Sequence, residues 1–294
     1  MTRLAIISLL VFLLQVPGNA QDTLWYGPNG RPVNNMEEAV LMKVVRQKSD
    51  QRLVVRTSQR SGDSWTRIIK QKIRFRKPGS MVLYNYLPGK LFPEKTYREM
   101  KETSPGTFAF EESSMKHLLR KGNTSSLLPL HLEGELTEYY PGGKVKSIST
   151  FKDNQLVTNR NWLPDGSRYI DSVYYSADTE PEYKPGPDFF RNYMLQRIAS
   201  SKVDLSQISD EVVIGWVVME TGTLEGPIAL KGKSPGFNQM LIAIIDELPG
   251  AWEPARLNGK PVRYFMSIPL NFIYQTTNFQ ELELTSGTLH YNRY

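Results

Sequence analysis

The chain has 294 residues, 40% of them hydrophobic, with 36 Lys and Arg against 30 Asp and Glu for a formal net charge of +6. That length and composition allow two ordinary domains with real cores and exclude disorder of the whole chain. No cysteine occurs, which excludes disulfides, thiolate metal sites and lipid attachment through an N-terminal cysteine.

Residues 1–20 predict a secretory signal. Arg3 supplies the charge, 4–14 the apolar run, and Gly18, Asn19 and Ala20 the small-residue cleavage site, with cleavage expected before Gln21. The run is about half of the roughly 20 residues a spanning helix needs, so an uncleaved anchor or a buried N-terminal helix are the lesser alternatives.

From Asp22 to about Ser176 short apolar or aromatic stretches alternate with turns, which predicts an antiparallel, strand-rich region. One helix is expected over 35–47, where Met36, Glu37 and Glu38 precede Ala39, Val40, Val44 and Val45. The stretch 107–130, with Asn123, Thr124, Ser125 and Ser126, reads as a loop-rich interruption. A local repeat runs through the region: Tyr140-Pro141-Gly142-Gly143-Lys144 recurs as Leu163-Pro164-Asp165-Gly166-Ser167, and Trp25-Tyr26-Gly27-Pro28-Asn29-Gly30 has the same aromatic, Pro, Gly pattern. These units resemble the short β-hairpins of YwqK-like or MORN-like repeat proteins.

Three patterns bear on chemistry. Lys70, Lys72, Arg74 and Arg76 alternate with other residues, so a strand there shows four positive charges on one face. The readings are a solvated edge strand guarded by lysine or, after a secretory signal, a site for envelope lipid or glycan. His131, Glu133 and Glu135 alternate on one expected face, which a solvated strand explains better than a metal site. The run 226–234 superficially resembles a phosphate loop but has the wrong glycine spacing, and Pro235 and Gly236 follow it. No nucleophile, base and orienter set stands out, so an enzyme is not expected, and neither a cofactor nor a resident metal is implied.

Three prolines and a glycine within 179–187 predict a stiff linker. Beyond it, Phe189, Phe190, Tyr193, Met194 and Ile198 give a helical stripe behind Pro187, and the apolar run 211–220 and its return over 224–231 read as two strands. Phe237, Met240, Leu241, Ile244, Ile245 and Leu248 fall on one face of a second helix that Pro249 and Gly250 stop. Asn258-Gly259 then turns the chain into a strand over 262–273. Trp216 and Trp252 read as core aromatics.

Gly215 in its valine-rich strand, Glu220-Thr221-Gly222-Thr223-Leu224, Trp252-Glu253-Pro254, Asn258-Gly259-Lys260-Pro261-Val262 and Ile268-Pro269-Leu270-Asn271-Phe272 together resemble the TonB C-terminal domain family over about 186–275. The resemblance implies helix, two strands, helix, strand, with a three-stranded antiparallel sheet. It also implies an exposed last strand that takes a receptor segment as an added strand. The candidate partner-binding residues are then Val262, Tyr264, Met266, Ile268, Leu270 and Phe272, with Trp252, Pro254 and Gly259 as structural supports. The expected whole is an α+β chain: signal 1–20, β-rich region 21–178, linker 179–187, TonB-like domain 188–275 and tail 276–294. The expected function is a non-catalytic periplasmic protein-binding module linked to TonB-dependent transmembrane transport, with an outer-membrane receptor or transport assembly as partner. The alternative is a structural envelope repeat protein.

Overall fold

The computed structural model describes residues 21–27, 32–87, 89–201, 212–232, 234–272 and 282–284. The expected signal over 1–20 and most of the 276–294 tail lie outside them. The chain divides into two compact units, Met1–Asp171 and Ser172–Tyr294.

The first unit is one antiparallel meander of β1 (Gln21–Tyr26), β2 (Pro32–Val33), β3 (Leu41–Ser49), β4 (Arg52–Ser61), β5 (Ser64–Lys77), β6 (Ser80–Tyr86), β7 (Glu94–Ser104), β8 (Thr107–Ser113), β9 (Leu118–Leu127), β10 (Leu130–Tyr139), β11 (Val145–Lys152) and β12 (Gln155–Asn161). They form a twelve-stranded sheet in which each strand pairs with its neighbour in sequence, except that β1 lies between β2 and β3. Period-two alternation builds the inner face: Ile73, Met81 and Leu83 cluster with Leu53, Val55 and Phe75, and Phe110, Leu132, Leu136 and Phe151 cluster with Met100 and Leu156.

The second unit contains β13 (Val173–Tyr174), β14 (Glu182–Tyr183), α1 (Pro187–Ala199), β15 (Val212–Val218), β16 (Leu224–Lys231), α2 (Pro235–Asp246), β17 (Trp252–Glu253), β18 (Ala255–Leu257), β19 (Lys260–Phe272) and β20 (Leu282–Leu284). Its main sheet runs β13-β19-β15-β16, with β18 and β20 also paired to β19, and a small ladder joins β14 to β17. All seven residues of β15 are buried, as an uninterrupted apolar run requires of a strand covered on both faces. Ser234 caps α2 by accepting from the Phe237 amide at 3.4 Å. The helix buries Phe237, Leu241, Ile244 and Ile245 against Ile214, Trp216 and Trp252. Each such side chain contributes about 1.5–3 kcal/mol relative to exposure.

These findings correct five expectations. The α+β class gives way to a mostly β chain, because strands fill the first unit and β13, β14, β17, β18 and β20 enlarge the second. The second unit's main sheet has six strands rather than three, and the β13–β19 pair is parallel. The helix expected over 35–47 is a bend, held by Asn35 and Glu38, followed by β3. Val44 and Val45 are β-branched and suit a strand enclosed by β1 and β4. The stretch 107–130 is largely the regular strands β8 and β9, whose buried Phe108, Phe110, Glu112 and Thr124 alternate with outward residues. Finally, 179–187 is built into the second unit. Tyr183 is buried against Trp252 and Phe190, and the Lys184 amide donates to the Ala251 carbonyl at 3.1 Å.

Candidate functional site: the outer side of β19

The register of β19 decides what its side chains can do. Val212, Ile214, Trp216 and Val218 of β15 stand opposite Leu270, Ile268, Met266 and Tyr264. Directly opposed residues of an antiparallel pair share a face. Here that is the helix face, so Leu270 is in the apolar core and Met266 and Ile268 pack against it. Tyr264 is buried beside Ala177 and Ala255, and its hydroxyl donates to the Glu180 carboxylate at 3.2 Å. Burial, with the Glu180 charge adding to it, pushes the Tyr264 pKa well above the ordinary phenol value. Val262 stands opposite Ala255 of β18, and Phe272 ends the strand opposite Leu282. The expectation that this series faces a partner is therefore corrected for Tyr264, Met266, Ile268 and Leu270, whose side chains serve the core.

Nor is β19 an open edge along its whole length. Tyr264 pairs with Val218 on one side and Tyr174 of β13 on the other, and Leu270 likewise with Val212 and Leu284 of β20. Between these two short strands the outer ladder is interrupted: among the described residues no strand pairs with Phe265, Met266 or Ile268 on that side. Phe265 to Pro269 spans roughly 17 Å at 3.4 Å per residue. Pro269, which lacks a donor, stands at its end.

The face opposite the helices carries Phe265, which stands opposite Val217 and contacts Tyr175 at a ring separation of 5.8 Å. Gly215 is required beneath it, because a Cβ there would lie 2.5 Å from the Phe265 ring. Phe265 was missed in the sequence. The signal was parity: once Ile214 and Trp216 are read as core, the residues opposite them on β19 are core as well.

The structural supports sit together. Trp252 is buried with ring centroids 5.0 Å from Tyr183 and 6.0 Å from Trp216. Pro254 is half-buried between β17 and β18, and Asn258 and Gly259 both adopt positive φ in the turn into β19. The other edge of the sheet, β16, is blunted at Gly226 and Pro227, where its register with β15 shifts.

The other candidates resolve as follows. Lys70, Lys72, Arg74 and Arg76 lie on a strand paired on both sides, so they do not guard an edge. Glu135 leaves its expected group because the β9–β10 register shifts around Gly134, which takes positive φ. His131 and Glu133 are joined instead by Asp153, whose backbone amide donates to Glu133 at 3.0 Å. No protein-family model, curated protein or solved structure matches the chain.

Proposed function

We propose that the second unit is a non-catalytic capture module that takes an extended peptide segment as an added strand on the outer side of β19. The observation that carries this reading is that, among the described residues, the outer side of β19 carries β13 at one end and β20 at the other, with no strand paired to Phe265, Met266 or Ile268 between them. Added strands gain affinity from backbone pairing and selectivity from alternate side chains. The resemblance of 186–275 to the TonB C-terminal domain supports the same chemistry. With the expected signal, it argues for work in the cell envelope, linked to TonB-dependent transport, on a short segment of an outer-membrane receptor or transport assembly.

A proline at Met266 is a poor test, because that residue also pairs with Trp216 of β15. Site-specific photo-crosslinking is cleaner. A photoreactive phenylalanine analogue replaces Phe265 in one full-length chain and Leu230, on the β16 edge, in another. Crosslinks from position 265 to one extended segment of an envelope protein, with none from 230, are expected. Crosslinks from 230 alone, or from neither, would overturn capture at β19.

A second reading rests on its own observation. In the turn at 140–144 the Tyr140 amide donates to the Lys144 carbonyl at 2.8 Å and the Gly143 amide to the Tyr140 carbonyl at 2.8 Å. The turn at 163–167 repeats this with Leu163 to Ser167 and Gly166 to Leu163, both at 2.9 Å. One period is thus one hairpin, β11 and β12, which favours a structural repeat region in the first unit. The third occurrence, at 28–30, lies outside the described residues. Excision of 140–162 should leave a folded, shorter meander by circular dichroism; an unfolded product would argue against repeat modularity.

A further inference from the structure

Strands β3 to β6 hold twelve lysines and arginines and no aspartate or glutamate. The chain as a whole is nearly balanced, so this is a local concentration of charge. Register puts much of it on one face. Arg46, Val54, Lys72 and Tyr84 stand in one row across the strands; Val44, Arg56, Lys70 and Tyr86 form the next; Arg52 and Arg74 pair on the far side of the first. On β3 and β4 cations and valines therefore alternate, while β5 shows only cations on this face, and together they line an open trough of about 360 Å³. Among the described residues no carboxylate forms a salt bridge with Arg52, Arg56, Lys70, Lys72 or Arg74.

We propose that this trough binds a linear acidic polysaccharide. Four features select that occupant. Along β5 the cations recur every second residue, roughly 7 Å apart, which calls for a polymer bearing anions at intervals rather than a single anion. Arginine forks match carboxylate or sulfate in two-point contact, and the valines between them accept the uncharged body of a sugar ring. β3, β4 and β5 are each paired on both sides, so no backbone edge is offered to a peptide strand. Tyr84 and Tyr86 are covered by cations: Lys72 lies 4.8 Å and Lys70 5.9 Å from the Tyr86 ring, and Arg74 5.5 Å and Lys95 5.8 Å from the Tyr84 ring. Those rings hold the array in place and leave little room for a nucleobase to stack.

The test measures binding of the full chain to polygalacturonate, neutral dextran, phosphatidylglycerol vesicles and a single-stranded oligothymidylate. Polygalacturonate should bind, weaken as salt rises and lose about tenfold in affinity in Arg56→Gln/Lys72→Gln. Dextran should not bind, and Lys101→Gln/Lys121→Gln, on β7 and β9 away from the trough, should bind polygalacturonate as the parent does. Lys72→Arg serves as the second, charge-preserving variant and should retain binding. No binding of polygalacturonate, equal loss in both double variants, or tighter binding to vesicles or oligothymidylate would overturn the proposal.

Discussion

The two units build β-sheets by opposite means. In the first, every strand lies beside a neighbour in sequence, and the inner face admits charge. Arg98, Glu112, Arg120, Glu138, Ser147 and Asn161 stand directly opposite one another on β7 to β12, and all six are buried. In the second, the chain reaches β15 only after α1, and β19 joins it only after α2, around a core that is almost wholly apolar. A meander made of hairpins closes its loops locally and can align a polar row by register alone. A sheet assembled across long connections depends on the burial that holds its parts together.

The largest expected effect tests the polar row. Glu112 accepts from Arg98 Nε at 2.7 Å and from Arg120 Nε at 2.6 Å, and Arg98 also donates to the Leu127 carbonyl at 3.1 Å. Glu112→Ala removes the carboxylate that the two buried guanidinium groups share and should cost about 3–5 kcal/mol, read from denaturant unfolding. The loss should appear in hydrogen-exchange protection of β7 to β9 and not of β15. Replacing the triad together, Arg98→Met, Glu112→Leu and Arg120→Leu, should recover much of it. No recovery would mean that the charges specify the register of the meander as well as filling it.

Acid should reach the same row. Burial alone would raise the Glu112 carboxyl, but the charges of Arg120 and Arg98 and their hydrogen bonds overcome it and hold the group at about 2. Burial pulls the Arg98 guanidinium below its ordinary value, opposed by the charge and hydrogen bond of Glu112. A carboxylate depressed in the folded state stabilises fully above its unfolded value and loses that contribution as pH falls through the folded one. Between the ordinary 4.5 and 2 the first unit should lose about 3 kcal/mol, and Glu112→Gln should flatten that dependence. An unchanged slope would remove the row from the acid response.

In the second unit a backbone contact takes the place of charge. Gly222 has φ 80°, and a Cβ there would lie 2.2 Å from the Trp252 carbonyl oxygen, while the Trp252 amide donates to the Gly222 carbonyl at 3.0 Å. Gly222→Ala should cost about 2 kcal/mol through strain and a displaced β17, followed by tryptophan fluorescence during unfolding. A neutral result would show that the second unit tolerates displacement at this join, which would weaken the contrast with the first.

How much of this was legible follows from range. α2 could be read from six apolar residues on one face and its proline stop, and β15, β16 and β19 from β-branched runs and the Asn258-Gly259 turn. Glu112 was also within reach, since it shares parity with Phe108 and Phe110 and so points inward. Its partners were not, because Arg98 and Arg120 meet it only through the pairing of three strands. The same limit hid the partners of β19: two-residue strands such as β13 carry no periodicity, and β20 joins from beyond the resemblance. Proline density over 179–187 pointed to a linker and carried no sign of the docking that Tyr183 decides.

The smallest expected effect sharpens the comparison where it touches function. Arg263, opposite Val173 of β13, has its Nε 3.1 Å from both Glu220 carboxylate oxygens, and both side chains are about a third or more exposed. Water screens such a pair, so Arg263→Gln should change stability by about 0–1 kcal/mol, far less than Glu112→Ala in the first unit. If capture on β19 proceeds by backbone pairing, crosslinking from position 265 should persist in Arg263→Gln at undiminished yield and remain insensitive to moderate salt. Loss of the crosslink, with the unfolding curve unchanged, would make recognition here electrostatic. The second unit would then resemble the first in relying on placed charge, and strand addition would no longer be the simplest account of β19.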